Sequence, residues 1–101
     1  MTMDVGQAIK TIRKKQGMSQ QQLAEKCGMS INGVSLIETG QRFPAKSTVE
    51  RLCQAFGIPK SYLMLATIEE QDIPEEKRLL YRTLVEPLRD ELLEKPSNEN
   101  V

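Results

Sequence analysis

Apolar residues recur along this chain with the 3.6-residue period of the α-helix, and the strict alternation that marks a strand is absent. In the first segment Val5, Ala8, Ile9 and Ile12 stand at i, i+3, i+4 and i+7, and Gly17 supplies a stop. The second opens with a fuller start signal. Ser19 reads as the N-cap, Gln22 completes a capping box, and Met18 and Leu23 hold the two places of a hydrophobic staple. This helix runs through Ala24 and Cys27 to Gly28, which takes the left-handed conformation without steric penalty. Met29, Ser30 and Val34 then repeat the staple and the cap, and a third helix runs to Gly40. After the loop "GQRFPAK", the stretch "STVERLCQAFG" offers a capping box of Ser47 with Glu50 and an apolar face of Val49, Leu52, Cys53 and Phe56. "IPKSYLMLA" reads as a short fifth helix with Pro59 at or next to its first turn.

Beyond residue 66 the pattern changes. Residues 67–74 read as an acidic linker, residues 75–95 as one amphipathic helix, and residues 96–101 as a disordered tail. Leu80, Leu84, Leu88 and Leu92 form a stripe at four-residue spacing, flanked by Tyr81 and Val85. Pro87 removes one backbone donor and crowds the carbonyl of Thr83, but the stripe keeps its phase across it, so a single kinked helix is expected. The fold class is all-α: five helices in residues 1–66, with an additional C-terminal amphipathic helix.

Two helices of about two and a half turns, joined by a tight glycine turn, form a helix-turn-helix, whose second member can enter a DNA major groove. At about 100° per residue, Val34 and Ile37 point one way with Glu38 beside them. Asn32, Ser35, Leu36 and Thr39 point the other way. That outer face lacks the Lys–Glu pairs of an ordinary solvated helix and carries an amide, hydroxyls and a leucine. Such groups suit base edges: Asn pairs with adenine, hydroxyls with several acceptors and donors, and apolar side chains meet the thymine methyl.

Charge sharpens this picture. The 101 residues balance 14 basic groups against 14 acidic ones, but unevenly along the chain. Residues 1–66 hold nine bases against four acids and the remainder five against ten, so the halves carry about +5 and −5. The basic half is the candidate for a polyanion. Cys27 and Cys53 fall on apolar helix faces and read as reduced core thiols; with no histidine in the chain, a Cys/His zinc site is excluded, and no metal or cofactor is expected. No apolar run approaches the roughly 20 residues of a membrane span, and "MTMDVGQAIK" lacks the features of a signal peptide. The expected setting is cytoplasmic, without a membrane partner.

At this point a resemblance is plain. "SQQQLAEKCGMSINGVSLIETG" resembles the helix-turn-helix of the phage repressor/Cro family, often called the XRE family. The residues that carry it are Ser19-Gln20, Leu23-Ala24, Gly28, Ser30, Ile37-Glu38, Gly40 and Pro44, and it extends from about Val5 to Leu65. It implies a five-helix, lambda-repressor-like domain that binds double-stranded DNA as a symmetric homodimer. By that resemblance Ile31, Asn32, Ser35 and Leu36 face bases. Ser19, Gln20, Ser30, Thr39, Arg42 and Lys46 contact or support the phosphate backbone, while Lys14 reads better as a solvated lysine. Ile31 departs from the pattern, since many members carry Gln or another polar group there; a thymine-methyl contact is expected for Ile31 and Leu36. Gly33 is read in two ways, as a device for deeper seating in the groove or as simple tolerance. Relatives pair the Glu at position 38 with an Arg late in the first helix, and Arg13 is in register, so Arg13–Glu38 is expected to be a structural ion pair.

The leucine stripe is too wide to leave in water. Self-association through Leu80, Leu84, Leu88 and Leu92 is the first expectation, ahead of packing on the chain's own domain. Capture of a second protein, as an antitoxin captures its toxin, is the competing one. A heptad coiled coil is not supported, because the spacing is i+4 throughout and Pro87 intrudes. An enzyme is the poorest reading. There is no His, no nucleophile–base arrangement and no glycine-rich phosphate loop. Asp72, Glu75 and Glu76 are explained as charges favouring a helix N-terminus.

Overall fold

Each helix start that the sequence announces with a hydroxyl cap is built as announced. In the computed structural model, which describes residues 4–93, Ser19 Oγ accepts the Gln22 N–H at 3.0 Å while Gln22 Oε1 accepts the Ser19 N–H at 2.8 Å. The elements in chain order are α1 (Val5–Lys15), α2 (Gln20–Cys27), α3 (Ile31–Glu38), α4 (Lys46–Phe56) and α5 (Lys60–Leu65). A last helix, α6, spans residues 78–93, and short 3₁₀ turns at Glu70–Asp72 and Glu75–Lys77 precede it. No strand occurs among the described residues. None of their helices is long and apolar enough to cross a membrane.

Two helix starts differ from expectation. Asp4 caps α1 in a capping box with Gln7, at 2.8 Å and 3.2 Å, which sequence reading missed by starting at Val5. Conversely, Ser47 and Glu50 form no box, because α4 begins one residue early with Ala45 at the N-cap and no side-chain cap. The chain reaches α4 from the buried Pro44, and the Ala45 carbonyl already accepts the Val49 N–H at 2.9 Å. That anchoring outweighs a hydroxyl cap, which is worth about 1 kcal/mol.

The core gathers one face from each helix: Ile9 and Ile12 of α1, Leu23 and Cys27 of α2, Val34 and Ile37 of α3, Leu52 and Phe56 of α4, and Leu63 of α5. Cys27 and Cys53 are both buried free thiols, as expected. Burial raises both thiol pKa values, an effect that Arg51 and Lys60 respectively reduce, so both remain protonated at neutral pH.

The segment expected to be an acidic linker is folded onto α6. Tyr81 Oη donates to the Ile68 carbonyl at 3.1 Å, Arg78 Nε to Ile73 O at 3.0 Å, and Arg89 Nε to Ala66 O at 3.3 Å. Arg82 pairs with Glu70 at 2.7 Å. The expected interruption at Pro87 takes the form of a widened π turn over Tyr81–Val85, in which Glu86 N–H reaches back to the Tyr81 carbonyl. Opening the helix there relieves the crowding that the proline ring imposes one turn upstream while the chain stays helical. Leu92 corrects the expectation of a continuous contact stripe. It is buried in the chain's own core beside α1, with Leu93 partly buried there, whereas Leu80, Leu84 and Leu88 are exposed. Residues 94–95 of the expected helix and the tail at 96–101 lie outside the described residues.

Gly6 carries a constraint that no sequence pattern announced. A Cβ built there would stand 2.2 Å from the Ile37 carbonyl oxygen and 3.1 Å from that of Glu38. The first turn of α1 therefore rests on the backbone at the end of α3. Gly6→Ala is expected to cost about 1–3 kcal/mol, because backbone rather than a flexible side chain has to give way. Urea unfolding followed by circular dichroism measures it; a loss within about 0.5 kcal/mol, as at an ordinary surface site, contradicts this packing.

Candidate nucleic-acid interface

The turn between α2 and α3 is fixed from both sides. Gly28 takes φ +67°, and the Met29 N–H returns to the Ala24 carbonyl at 3.0 Å, closing α2. Ser30 then accepts the Gly33 N–H at 2.9 Å and opens α3. The restart turns α3 so that Val34 and Ile37 enter the core. Ile31 and Asn32 are left exposed and Ser35 and Leu36 half-buried. This is the division the helical wheel predicts, with Ile31 retaining 47% of its surface in solvent.

Around this face stand the expected backbone-contacting residues, in differing circumstances. Ser19 and Ser30 accept backbone N–H groups as caps, which leaves each hydroxyl proton available as a donor. Thr39, also exposed, turns its hydroxyl back to the Leu36 carbonyl at 3.2 Å. Arg42, Lys46 and Lys14 are exposed. The same Leu36 carbonyl accepts the N–H groups of Gln41 and Arg42 at 2.9 and 3.1 Å, holding the loop after α3 against the end of that helix.

Gln20 departs from the expectation. It is half-buried, and its Nε2 donates to Glu38 Oε1 at 3.0 Å. The physical reason is the buried carboxylate, whose lone pairs require donors. Gly33 also corrects a reading. It is buried, and a Cβ there would meet Met29 Cε at 3.2 Å, Ser30 Oγ at 3.3 Å and Arg42 Nη1 at 3.6 Å. Its bare α-carbon thus serves packing inside the protein, not a closer approach to a groove.

Glu38 and Arg13 form the expected ion pair in a bidentate arrangement, Nε–Oε2 at 2.6 Å and Nη2–Oε1 at 3.0 Å. The remaining Nη1 of Arg13 donates to the Met18 carbonyl at 2.8 Å. The side chains are 8% and 1% exposed, so the pair is shielded from solvent screening. Among the described residues no buried side-chain polar atom lacks a partner. The described residues likewise hold no group of three or more Cys, Asp or Glu placed to bind a metal.

The helix-turn-helix family profile matches residues 9–63, from the middle of α1 to α5. The chain belongs to the helix-turn-helix family. The likeness to XRE-type repressors read from Ser19 to Pro44 is thus one of kinship. This helix-turn-helix protein is 37% identical over 81 residues to the immunity repressor protein of Bacillus phage phi105, covering 80% of this chain and 54% of that one. It is 36% identical over 63 residues to the competence pilus inhibition repressor of Acinetobacter baylyi, covering 62% and 57%. It is 32% identical over 79 residues to the HTH-type transcriptional repressor RghR of Bacillus subtilis, covering 77% and 58%. The chain spans little more than half the length of these curated relatives.

Replacing Arg13 by Met strands the Glu38 carboxylate inside the protein. A stability loss of about 3–5 kcal/mol is expected, read as a fall in the urea midpoint with unchanged slope. A loss under about 1 kcal/mol, the worth of an exposed pair, counts against burial in solution.

Proposed function

We propose that this helix-turn-helix protein is a sequence-specific, double-stranded DNA-binding transcriptional regulator that acts as a repressor and engages an inverted-repeat operator as a homodimer. The observation that carries the reading is the outer face of residues 31–39. There a helix capped by Ser30 turns Ile31 and Asn32 outward, with Ser35 and Leu36 half-buried behind them, while Val34 and Ile37 anchor it from below. Asn32 supplies an amide for an adenine edge and Ser35 a hydroxyl, while Ile31 and Leu36 offer methyl groups to thymine. Arg42 and Lys46, with the hydroxyls of Ser19, Ser30 and Thr39, lie where phosphate contacts follow from this docking. The names of the relatives, two of them printed as repressors and one as an immunity repressor, favour repression.

A symmetric dimer with its two α3 helices about 34 Å apart reads two half-sites one helical turn from each other. A second reading keeps DNA binding but assigns α6 to another protein. It is favoured by Leu79, Leu80, Leu84 and Leu88, all half or more exposed.

Selection of bound sites from random duplexes is expected to return a two-fold symmetric sequence. A variant with Asn32, Ser35 and Leu36 all changed to Ala is expected to fold normally and lose at least tenfold in discrimination between the selected site and unrelated DNA, each base contact being worth about 1–3 kcal/mol. Undiminished discrimination in that variant sinks the reading. Affinity is also expected to fall with rising salt, with a slope of about −0.9 per phosphate neutralised.

A further inference from the structure

The exposed line of α6 has a symmetry of its own. Lys77, Leu80, Leu84, Leu88 and Glu91 stand at spacings of three, four, four and three residues, and all five are exposed. On a regular helix Lys77 and Glu91 fall within about 20° of Leu84, and Leu80 and Leu88 within about 40°, so the five share one face. The π turn lies between Leu80 and Leu84. A wider turn offsets part of the drift that four-residue spacing accumulates on an ordinary helix. The opposite flank is already engaged in the chain's own fold, through Tyr81, Arg89 and the buried Leu92.

The pattern is palindromic in spacing and hydropathy and antisymmetric in charge, with a cation at one end and an anion at the other. A two-fold axis through Leu84 sets each residue before it against the one equally far behind it in the second copy. Leu80 then meets Leu88, Leu84 meets its own counterpart, and Lys77 meets Glu91 at both ends. A parallel pairing instead opposes lysine to lysine and glutamate to glutamate.

We infer that this face of α6 pairs antiparallel with the same face of a second copy of the chain, through a leucine seam closed at each end by a Lys77–Glu91 contact. The interface is isologous, which is the form a closed two-fold dimer requires. It rests on the dimeric reading given above and deepens it by naming the surface and its polarity. The paired length, fifteen residues, is about 21 Å. An interface of that size belongs to the small, reversible class.

The test is a charge exchange on the full chain, read by sedimentation equilibrium without DNA. Lys77→Glu alone and Glu91→Lys alone each turn two attractions into two repulsions. Each is expected to raise the dimer dissociation constant about tenfold or more, the sum of several exposed pair terms. The doubly exchanged chain is expected to regain wild-type association. An equimolar mixture of the two single variants is expected to form mixed dimers, because every end contact between them is again opposite in sign. Both residues are exposed, so circular dichroism melts of all variants should coincide with the parent. A dimer indifferent to the single changes, a double exchange without recovery, or a mixture without mixed dimers overturns the inference, as does a chain that is monomeric at every concentration. None of these outcomes bears on base reading by α3, which the duplex selection tests separately.

Discussion

The carboxylate of Glu38 governs how this domain is put together. It sits at the last residue of α3, buried, and takes two hydrogen bonds from Arg13 of α1 and one from Gln20 of α2. Arg13 in turn donates to the Met18 carbonyl, in the turn between α1 and α2. An unpaired charge in that position would be expensive, so each donor must arrive at a fixed place, and each arrives on a different element. Apolar packing brings the helices together, but it is non-directional. The ion pair and its amide supply the direction, and they hold the recognition helix in a single register against its scaffold.

Much of this was legible in the residues because much of it is local. The hydroxyl caps at Ser19 and Ser30, the left-handed Gly28 and the inward Val34 and Ile37 all depend on neighbours within one or two turns. Arg13–Glu38 was legible only through family resemblance, since a separation of 25 residues leaves no periodic trace. The errors share one origin. Ser47 has a good cap sequence, but an upstream anchor moved the helix start to Lys46. Gln20 has a polar side chain on a surface helix, and a distant buried acid claims it. Gly33 looks bare toward the solvent and is bare toward Met29 and Arg42. In each case a partner far along the chain decided the outcome.

The C-terminal helix shows the same division between pattern and context. Four leucines at equal spacing look equivalent in a helical wheel, yet Leu92 is in the core and Leu80, Leu84 and Leu88 are not. The π turn at Tyr81–Val85 and the arginine and tyrosine contacts to residues 66–73 set the rotation of the helix, and so decide which leucines are covered. The acidic stretch between the two halves acts as a clasp, because its carbonyls and Glu70 accept from α6.

Gly6 has a consequence for how the reading helix can vary. Where two helices meet through side chains, a substitution on one is absorbed by rotamer changes on the other. Here the α1 backbone lies directly on the carbonyls of Ile37 and Glu38, with nothing compressible between them. The pose of α3 is therefore set by main-chain atoms common to every sequence. Its outward residues can be exchanged as freely as type on a fixed platen, altering what is printed without tilting the press.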